Sequence, residues 1–301
     1  MAQRRACLLG AAIALLVTCG STAAADSATN PDTSAASAVN MDPALDAAWA
    51  RVLDHDIPLA DRQRMLADLE AKAAQSSDAH ALYMLGSLYH MGQHATDSPV
   101  QQDLAKASLY LGNAAIRGSM LAMAKMAELK LIQGQYREAM NWAQIYAHYA
   151  LQSKTDKQDR QSYAGELIQR IMEHIGDAQM PAIMKDVDSF VAAYDTNIRV
   201  GMQEESSLDQ LQPSTPRHRY KPALDERLPD AGIADFIVAF RPDGSVSDVR
   251  VVDAMPRPDV AAMAHEYAAS LRVKLDTGQA LRYGWMPVMM NDRRYRTTTR
   301  H

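Results

Sequence analysis

The chain has 301 residues, of which 48% are apolar and 22% are charged. This composition is typical of a globular protein of about two domains and excludes a wholly disordered or collagen-like chain. Only 3 residues are Phe, so Met and Ala must supply much of the core, which favours close-packed helices over a large aromatic barrel. The formal net charge of -5 at pH 7 gives no electrostatic attraction to nucleic acid, so nucleic acid is not an expected partner.

Residues 1–25 have the pattern of a secretory signal peptide. Arg4 and Arg5 precede an apolar run over residues 6–19, which is shorter than the roughly 20 residues of a membrane-spanning helix. The small residues that end at Ala25 match the site that signal peptidase cleaves. We therefore expect cleavage after Ala25 and a periplasmic protein with no transmembrane segment in the mature chain.

Both cysteines of the chain, Cys7 and Cys19, fall within this peptide. Cleavage therefore leaves a mature chain without disulfides and without a thiol nucleophile. An alternative stays open, because residues 16–19 resemble a lipoprotein box in which Cys19 is the acylated residue. Such boxes prefer Gly, Ala or Ser where Thr18 stands, so cleavage after Ala25 is the preferred hypothesis.

Composition divides the mature chain into a helical part and a part with alternating hydrophobicity. Helical signals begin at Asp42 and Pro43, an N-cap acceptor followed by proline at the first helical position. Pro213 and Pro216 favour extended backbone in a later stretch that is rich in Gln, Glu and Ser. The predicted segments are a signal peptide (1–25), a flexible leader (26–41), an α-helical repeat domain (42–200), a linker (201–219), a small sheet-containing domain (220–292) and a basic tail (293–301).

An internal repeat is visible in the helical part. Residues 81–92 read Ala-x-Tyr-x-Leu-Gly-x-Leu-Tyr-x-x-Gly, and residues 106–118 read Lys-Ala-x-x-Tyr-Leu-x-x-Ala-Ala-x-x-Gly. This pattern resembles a Sel-one-like repeat, a relative of the tetratricopeptide repeat. A degenerate second copy has Lys130 and Gln133 where the family has Tyr and Gly. The resemblance covers about residues 78–150 and implies a helical scaffold that binds proteins, in which Gly86 permits a close contact between helices.

The last part of the chain predicts the order β-β-α-β. Two apolar, β-branched runs flank a Pro-Asp-Gly turn at residues 242–244, and an apolar helical stripe and a final strand at 283–290 follow. Alternation predicts that Phe236, Val238 and Phe240 face this helix. We expect the final strand to lie at a sheet edge, where an extended peptide can pair with it.

The spacing Phe-x-Val-x-Phe-x-x-Asp-Gly-x-Val-x-Asp-Val-x-Val at residues 236–251 resembles the C-terminal domain of TonB, the energy transducer of outer-membrane transport. Arg272 and Gly278 also match that family, whereas Leu271 and Leu275 replace its usual Trp and Pro. The resemblance covers about residues 220–292. It implies a small domain that binds a peptide of an outer-membrane transporter.

The sequence predicts no catalytic residue, no cofactor and no metal site. His90 and His94 have the spacing of a helical metal pair, but Gly92 between them predicts a helix end, which separates the two rings. Asp54 and Asp56 flank a histidine in what we interpret as a solvated turn. We therefore assign no role to these histidines.

Aromatic residues are the strongest candidates for contacts with a partner, because Tyr and Trp are enriched among interface anchors. Most of those at helical spacing are expected in the core, with one or two on a binding face. The candidate partner-binding residues are Tyr83, Tyr89, Tyr110, Trp142, Tyr146, Tyr283 and Trp285.

The sequence therefore predicts a multidomain protein of the α and α+β classes, in which an α-helical repeat solenoid precedes a small TonB-like β-β-α-β domain. The expected function is a non-catalytic, periplasmic scaffold for protein or peptide partners of the cell envelope, linked to outer-membrane transport. The alternative is a periplasmic enzyme that acts on the cell wall and uses the repeats to position its substrate. An acidic residue with a strongly raised pKa in a closed cleft would favour the enzyme.

Overall fold

The computed structural model describes residues 39–40, 43–76, 78–96, 98–153, 157–205, 210–211, 231–274 and 281–290. All of them belong to one compact unit, Asp32–His301. The predicted signal peptide and basic tail, and most of the predicted leader and linker, lie outside the described residues. No helix within the described ranges is both long and apolar enough to cross a membrane.

Helices occupy the part of the chain where helical signals predict them. Side-chain caps start several of them: Asp78 accepts hydrogen bonds from the backbone N–H groups of His80 and Ala81, and Asp103 caps the next helix in the same way. The described helices of this part are α1 (Pro43–Val52), α2 (Leu59–Gln75), α3 (Ala79–Met91), α4 (Leu104–Ala115), α5 (Met120–Ile132), α6 (Tyr136–Ala150), α7 (Lys157–Met172) and α8 (Met180–Glu205).

Helices α1 to α7 each pack against the next helix in the chain, whereas α8 packs against α6, and the contact between α3 and α4 is the most extensive. A Cβ atom added at Gly86 on α3 would lie 2.7 Å from Cγ of Leu111 on α4, so only glycine fits this contact. The core around it consists mainly of Ala, Leu, Met and Tyr, as the composition predicts. The predicted order of the chain, helices first and a small sheet near the end, is therefore confirmed.

The sheet is antiparallel and has five strands among the described residues. The predicted hairpin is present, and Gly244 takes a φ of +77° in its turn, which favours glycine. The elements are β1 (Val39–Asn40), β2 (Gln210–Leu211), β3 (Gly232–Phe240), β4 (Val246–Met255), α9 (Asp259–Ala269) and β5 (Arg282–Met290). The order of the strands in the sheet is β2-β1-β5-β3-β4.

The position predicted for the final strand is wrong. β5 pairs with β3 along its length and with β1 at Asn40 and Trp285, so it lies inside the sheet, and β4 is the last strand at that end of the order. Strand pairing uses backbone groups, which is why a leader with no apolar pattern still supplies a strand at residues 39–40. Helix α8 continues to Glu205 and so includes the first residues of the predicted linker (201–219).

The two faces of the sheet contact different helices. Phe236, Val238 and Phe240 pack with α9, as predicted. Ile233 and Ile237 point to the opposite face and share a core with the preceding helices. On that face the strands contact α1, α3, α5 and α7. These four helices therefore form the face of the helical part that the sheet covers.

The end of α8 passes over the turn between α4 and α5 with backbone in direct contact. A Cβ atom added at Gly201 would lie 1.7 Å from the carbonyl oxygen of Arg117, and Gly118 in that turn has a φ of +97°. We expect Gly201→Ala to lower the free energy of unfolding by about 1–2 kcal/mol, because α8 must move away from the turn. Urea denaturation measures this change.

Gly165 on α7 provides the matched control, because a Cβ atom there would meet no atom within 4 Å. Gly165→Ala is expected to leave stability unchanged or to raise it by a few tenths of a kcal/mol through helix propensity. Equal effects of the two substitutions would contradict the close contact at Gly201.

Candidate functional site

A buried charge cluster joins the helices to the sheet. At its centre lies Lys125 of α5, which has no exposed surface. Its Nζ atom is 2.8 Å from Oγ of Ser87, 2.5 Å from Oδ2 of Asp253 and 2.5 Å from Oδ2 of Asp235. The three donors of the ammonium group thus meet three acceptors, one on α3 and two on neighbouring strands. The buried charge cluster comprises Lys125, Asp235, Asp253, Ser87, Tyr83, His90 and Trp285.

Both carboxylates accept further hydrogen bonds. The hydroxyl of Tyr83 donates to Asp235 over 2.8 Å, and the indole N–H of Trp285 donates to its other oxygen over 2.9 Å. Nδ1 of His90 lies 2.7 Å from Oδ1 of Asp253. Because a carboxylate only accepts, this nitrogen carries the proton. The charged and hydrogen-bonding groups of the cluster therefore find their partners in one another, across the contact between the helices and strands β3, β4 and β5.

The two carboxyl groups differ in pKa although both are fully buried. Burial raises the pKa of Asp235, and Lys125 offsets this only in part, so its pKa lies above the ordinary value. Burial also acts to raise the pKa of Asp253, but Lys125 and His90 outweigh it, and its pKa lies below the ordinary value. The same carboxylates overcome the effect of burial on Lys125 and raise its pKa. Lys125 is therefore an ammonium group at neutral pH.

A β-bulge places the second carboxylate. Asp235 on β3 pairs directly with Asp253 on β4, but the next residue, Phe236, pairs with Val251. Val252 is therefore the extra residue, and it shifts the alternation of β4 by one position. Asp253 faces the helices as a result, as does Arg250, which hydrogen-bonds the backbone carbonyl of Ala50 at the end of α1. The bulge lets β4 present an acidic and a basic group to the same helical surface.

The cluster continues towards α1 through a second histidine. The ring of His80 lies 4.6 Å from the ring of Trp285, centroid to centroid. Its Nε2 atom is 3.9 Å from Oδ1 of Asp46 on α1. Asp46 is buried as well. His80 and Trp285 thus lie between Asp46 on α1 and the buried charge cluster.

A second buried ion pair ties α5 to α7. Arg170 donates two hydrogen bonds to Glu128, and the hydroxyl of Tyr163 donates to the same carboxylate over 2.5 Å. Helix α5 therefore carries two buried charges, Lys125 towards the sheet and Glu128 towards the next helix. Each is paired with an opposite charge, as buried charges require.

A third polar group lies at the junction of α2, α3 and α4. The hydroxyls of Tyr89 and Tyr110 both donate to Oε1 of Glu70, over 2.7 Å and 3.2 Å. Their rings stack, and Lys106 lies 4.4 Å from the centroid of Tyr89. Burial raises the pKa of Tyr89, and Glu70 adds to this effect. This group is partly exposed, in contrast to the buried charge cluster.

The structure brings four of the seven predicted partner-binding residues together in two pairs. Tyr83 and Trp285 are buried and both donate to Asp235, and Tyr146 is buried against Tyr163. Tyr89 and Tyr110 form the stacked pair described above. Half-buried positions are occupied by Tyr110, Trp142 and Tyr283.

The charged residues of the cluster were not among the predicted site residues. Lys125, Asp235 and Asp253 each interrupt an apolar run of a helix or strand, and that is the signal by which they could be found. His90, to which the sequence gives no role, contacts one of these carboxylates. Among the described residues, no group of three His, Cys, Asp or Glu side chains is arranged to hold a metal ion.

Comparison with known proteins gives no relative: no family model, no curated protein and no solved structure matches the chain. The resemblances to Sel-one-like repeats and to the TonB domain therefore remain predictions from the sequence.

Proposed function

We propose that this protein is a non-catalytic, exported scaffold that binds protein or peptide partners in the cell envelope. The buried charge cluster is the observation that carries this proposal. Lys125, Asp235 and Asp253 have no exposed surface, and their hydrogen bonds run between the helices and the sheet. Such a cluster fixes one orientation of the sheet on the helices. A scaffold needs this rigidity because it presents a fixed surface to its partner.

The surface offered to a partner lies on the side of the helices away from the sheet. The sheet of the same chain packs against α1, α3, α5 and α7 and so covers that side of the helices. Leu109 on α4 and Leu151 at the end of α6 are each 61% exposed. Tyr110 and Trp142, on the same two helices, are half-buried. Tyr and Trp are enriched among the residues that anchor a partner, and exposed apolar side chains such as these two leucines add to the surface that a partner can cover.

Site-specific photocrosslinking in intact cells tests this proposal. A photoreactive amino acid at Leu109 or Leu151 is expected to capture one and the same partner. Exposed Ala262 on the outer side of α9 provides the control position, where that product should be absent. No product at either leucine, or the same product at all three positions, contradicts a partner surface on α4 and α6.

One observation favours the alternative, a periplasmic enzyme acting on the cell wall: the raised pKa of Asp235, a property of acid catalysts. Asp235 is fully buried, however, and its two oxygens accept from Tyr83, Trp285 and Lys125. We therefore propose a structural role for this carboxyl group. Release of soluble fragments from purified cell wall by the wild-type protein, but not by Asp235→Asn, would contradict the scaffold proposal.

A further inference from the structure

Strand β4 ends the sheet on one side. Among the described residues it pairs with β3 alone, so the backbone groups along its other edge have no strand partner there. Such an edge is a template for another extended segment. The pairing with β3 shifts register near both ends of β4, and between these shifts residues 248–251 lie regularly opposite residues 236–239. The regular part of the open edge is therefore the segment 248–251.

The two faces of this segment carry different side chains. Val249 and Val251 pack with the cluster on the α9 side and are half-buried. Asp248 and Arg250 point to the other face, where Nε of Arg250 lies 2.7 Å from Oδ2 of Asp248. The exposed fraction is 44% for the side chain of Asp248 and 17% for that of Arg250. Apolar groups on one face, and an acidic and a basic group on the other, are therefore accessible at the open edge.

The order of these residues makes the segment complementary to a second copy of itself. When two identical strands pair antiparallel by two-fold symmetry, the axis passes through one residue, which lies opposite its own copy. With the axis at Val249, Asp248 of each copy lies opposite Arg250 of the other. An axis at Asp248 or at Arg250 places two like charges opposite each other, which is unfavourable. An axis at Val251 extends the pairing over the bulge at Val252. Charge complementarity therefore favours the register centred on Val249.

The two charged side chains can form this contact without losing those within their own chain. Asp248 accepts from the N–H of Val249 over 2.9 Å and from Arg250, and a carboxylate has more acceptor sites than these two donors occupy. Arg250 also contacts the backbone carbonyl of Ala50 and lies 3.2 Å from Oδ2 of Asp54. A guanidinium group has more N–H donors than these contacts use. Asp248 of one copy can therefore accept from Arg250 of another.

We propose that this protein forms a symmetric dimer in which the β4 edges of two copies pair antiparallel about Val249. Two contacts between Asp248 and Arg250 flank the axis on one face, and the half-buried Val249 side chains meet on the other. The sheets of the two copies are thereby joined into one. This contact uses neither α4 nor α6, so it does not depend on the partner surface proposed there. A dimer presents two copies of that surface.

Cysteine cross-linking tests the register of the pairing. Cys7 and Cys19, the two cysteines of the chain, are first replaced by serine. Val249→Cys is then expected to give a disulfide-linked dimer on mild oxidation, because opposite Cβ atoms in an antiparallel pair are about 5 Å apart. Ser247→Cys, at an exposed position on the same strand, is the matched control, because its two copies would lie about 13 Å apart along the strands. A yield at Val249→Cys no higher than that at Ser247→Cys overturns the proposal.

Sedimentation equilibrium measures the association directly. The wild-type chain is expected to form dimers at micromolar concentration. Asp248→Lys should raise the dissociation constant by about tenfold or more, because it places a lysine opposite Arg250 at both contacts. Asp188→Lys, which makes the same change of charge at an exposed position on α8, should leave the constant unchanged. Circular dichroism checks that both variants are folded.

Two results would contradict a dimer built on β4. A wild-type chain that stays monomeric overturns the proposal, whether its β4 edge is open or covered by another segment of the chain. A dimer that Asp248→Lys and Asp188→Lys weaken equally, or that neither weakens, uses another surface and overturns it as well.

Discussion

Lys125→Met is expected to lower the free energy of unfolding by about 3–5 kcal/mol at pH 7. The substitution removes the ammonium group between two fully buried carboxylates and leaves Asp235 and Asp253 facing each other without the cation that they share. Methionine fills much of the same space, so the loss reflects charge more than volume. Urea denaturation followed by circular dichroism measures the effect.

Two further variants separate loss of the charge from a general effect of the substitution. Lys130→Met removes a lysine whose Nζ donates to the side chain of Gln135 at the surface, and it should change stability by less than about 0.5 kcal/mol. Adding Asp235→Asn and Asp253→Asn to Lys125→Met removes all three charges and should restore much of the stability. A Lys125→Met protein as stable as the wild type would show that the charges do not hold the sheet.

Gly86→Leu is expected to lower the free energy of unfolding by roughly 2–3 kcal/mol. A Cβ atom alone would lie 2.7 Å from Cγ and 3.0 Å from the backbone nitrogen of Leu111, which is itself fully buried. The three additional carbons of leucine cannot enter this contact unless α3 and α4 separate. The loss should appear as a lower midpoint of urea denaturation with an unchanged slope.

Gly112 on α4 offers a matched control for this substitution. It is also a glycine within a helix, but a Cβ atom there would meet no atom within 4 Å. Gly112→Leu is expected to be neutral or stabilising, because leucine has the higher helix propensity. If Gly86→Leu behaves like Gly112→Leu, the helices do not depend on glycine at this contact.

Local patterns in the sequence were sufficient to predict the helical part, the β3–β4 hairpin and the helix that follows it. The Pro-Asp-Gly turn joins β3 and β4, and alternation places Phe236 against α9. These features depend on neighbours within a few residues. The composition of the leader, in contrast, gave no sign of β1, because pairing of Asn40 with Trp285 depends on backbone groups far apart in sequence.

The buried charge cluster could be predicted only in its parts. Lys125 interrupts the apolar helix α5, and Asp235 interrupts the apolar strand β3, so each indicates a buried charge that needs a partner. Which groups become partners depends on how the sheet lies on the helices. The bulge at Val252 adds a further shift that alternation along β4 does not reveal.

The pairing of Asn40 with Trp285 also has a consequence for how the chain folds. The helices form through contacts between near neighbours in the sequence. Strand β1, in contrast, can pair with β5 only when Arg282–Met290, the last residues that the structure describes, are in place. Contacts between such distant residues form slowly, since a long loop must close first. A chain that ends before Arg282 would leave one side of β3, and the helical surface that contacts β5, exposed to solvent. Completion of the described sheet therefore depends on β5, and a chain without it would expose edges that favour aggregation.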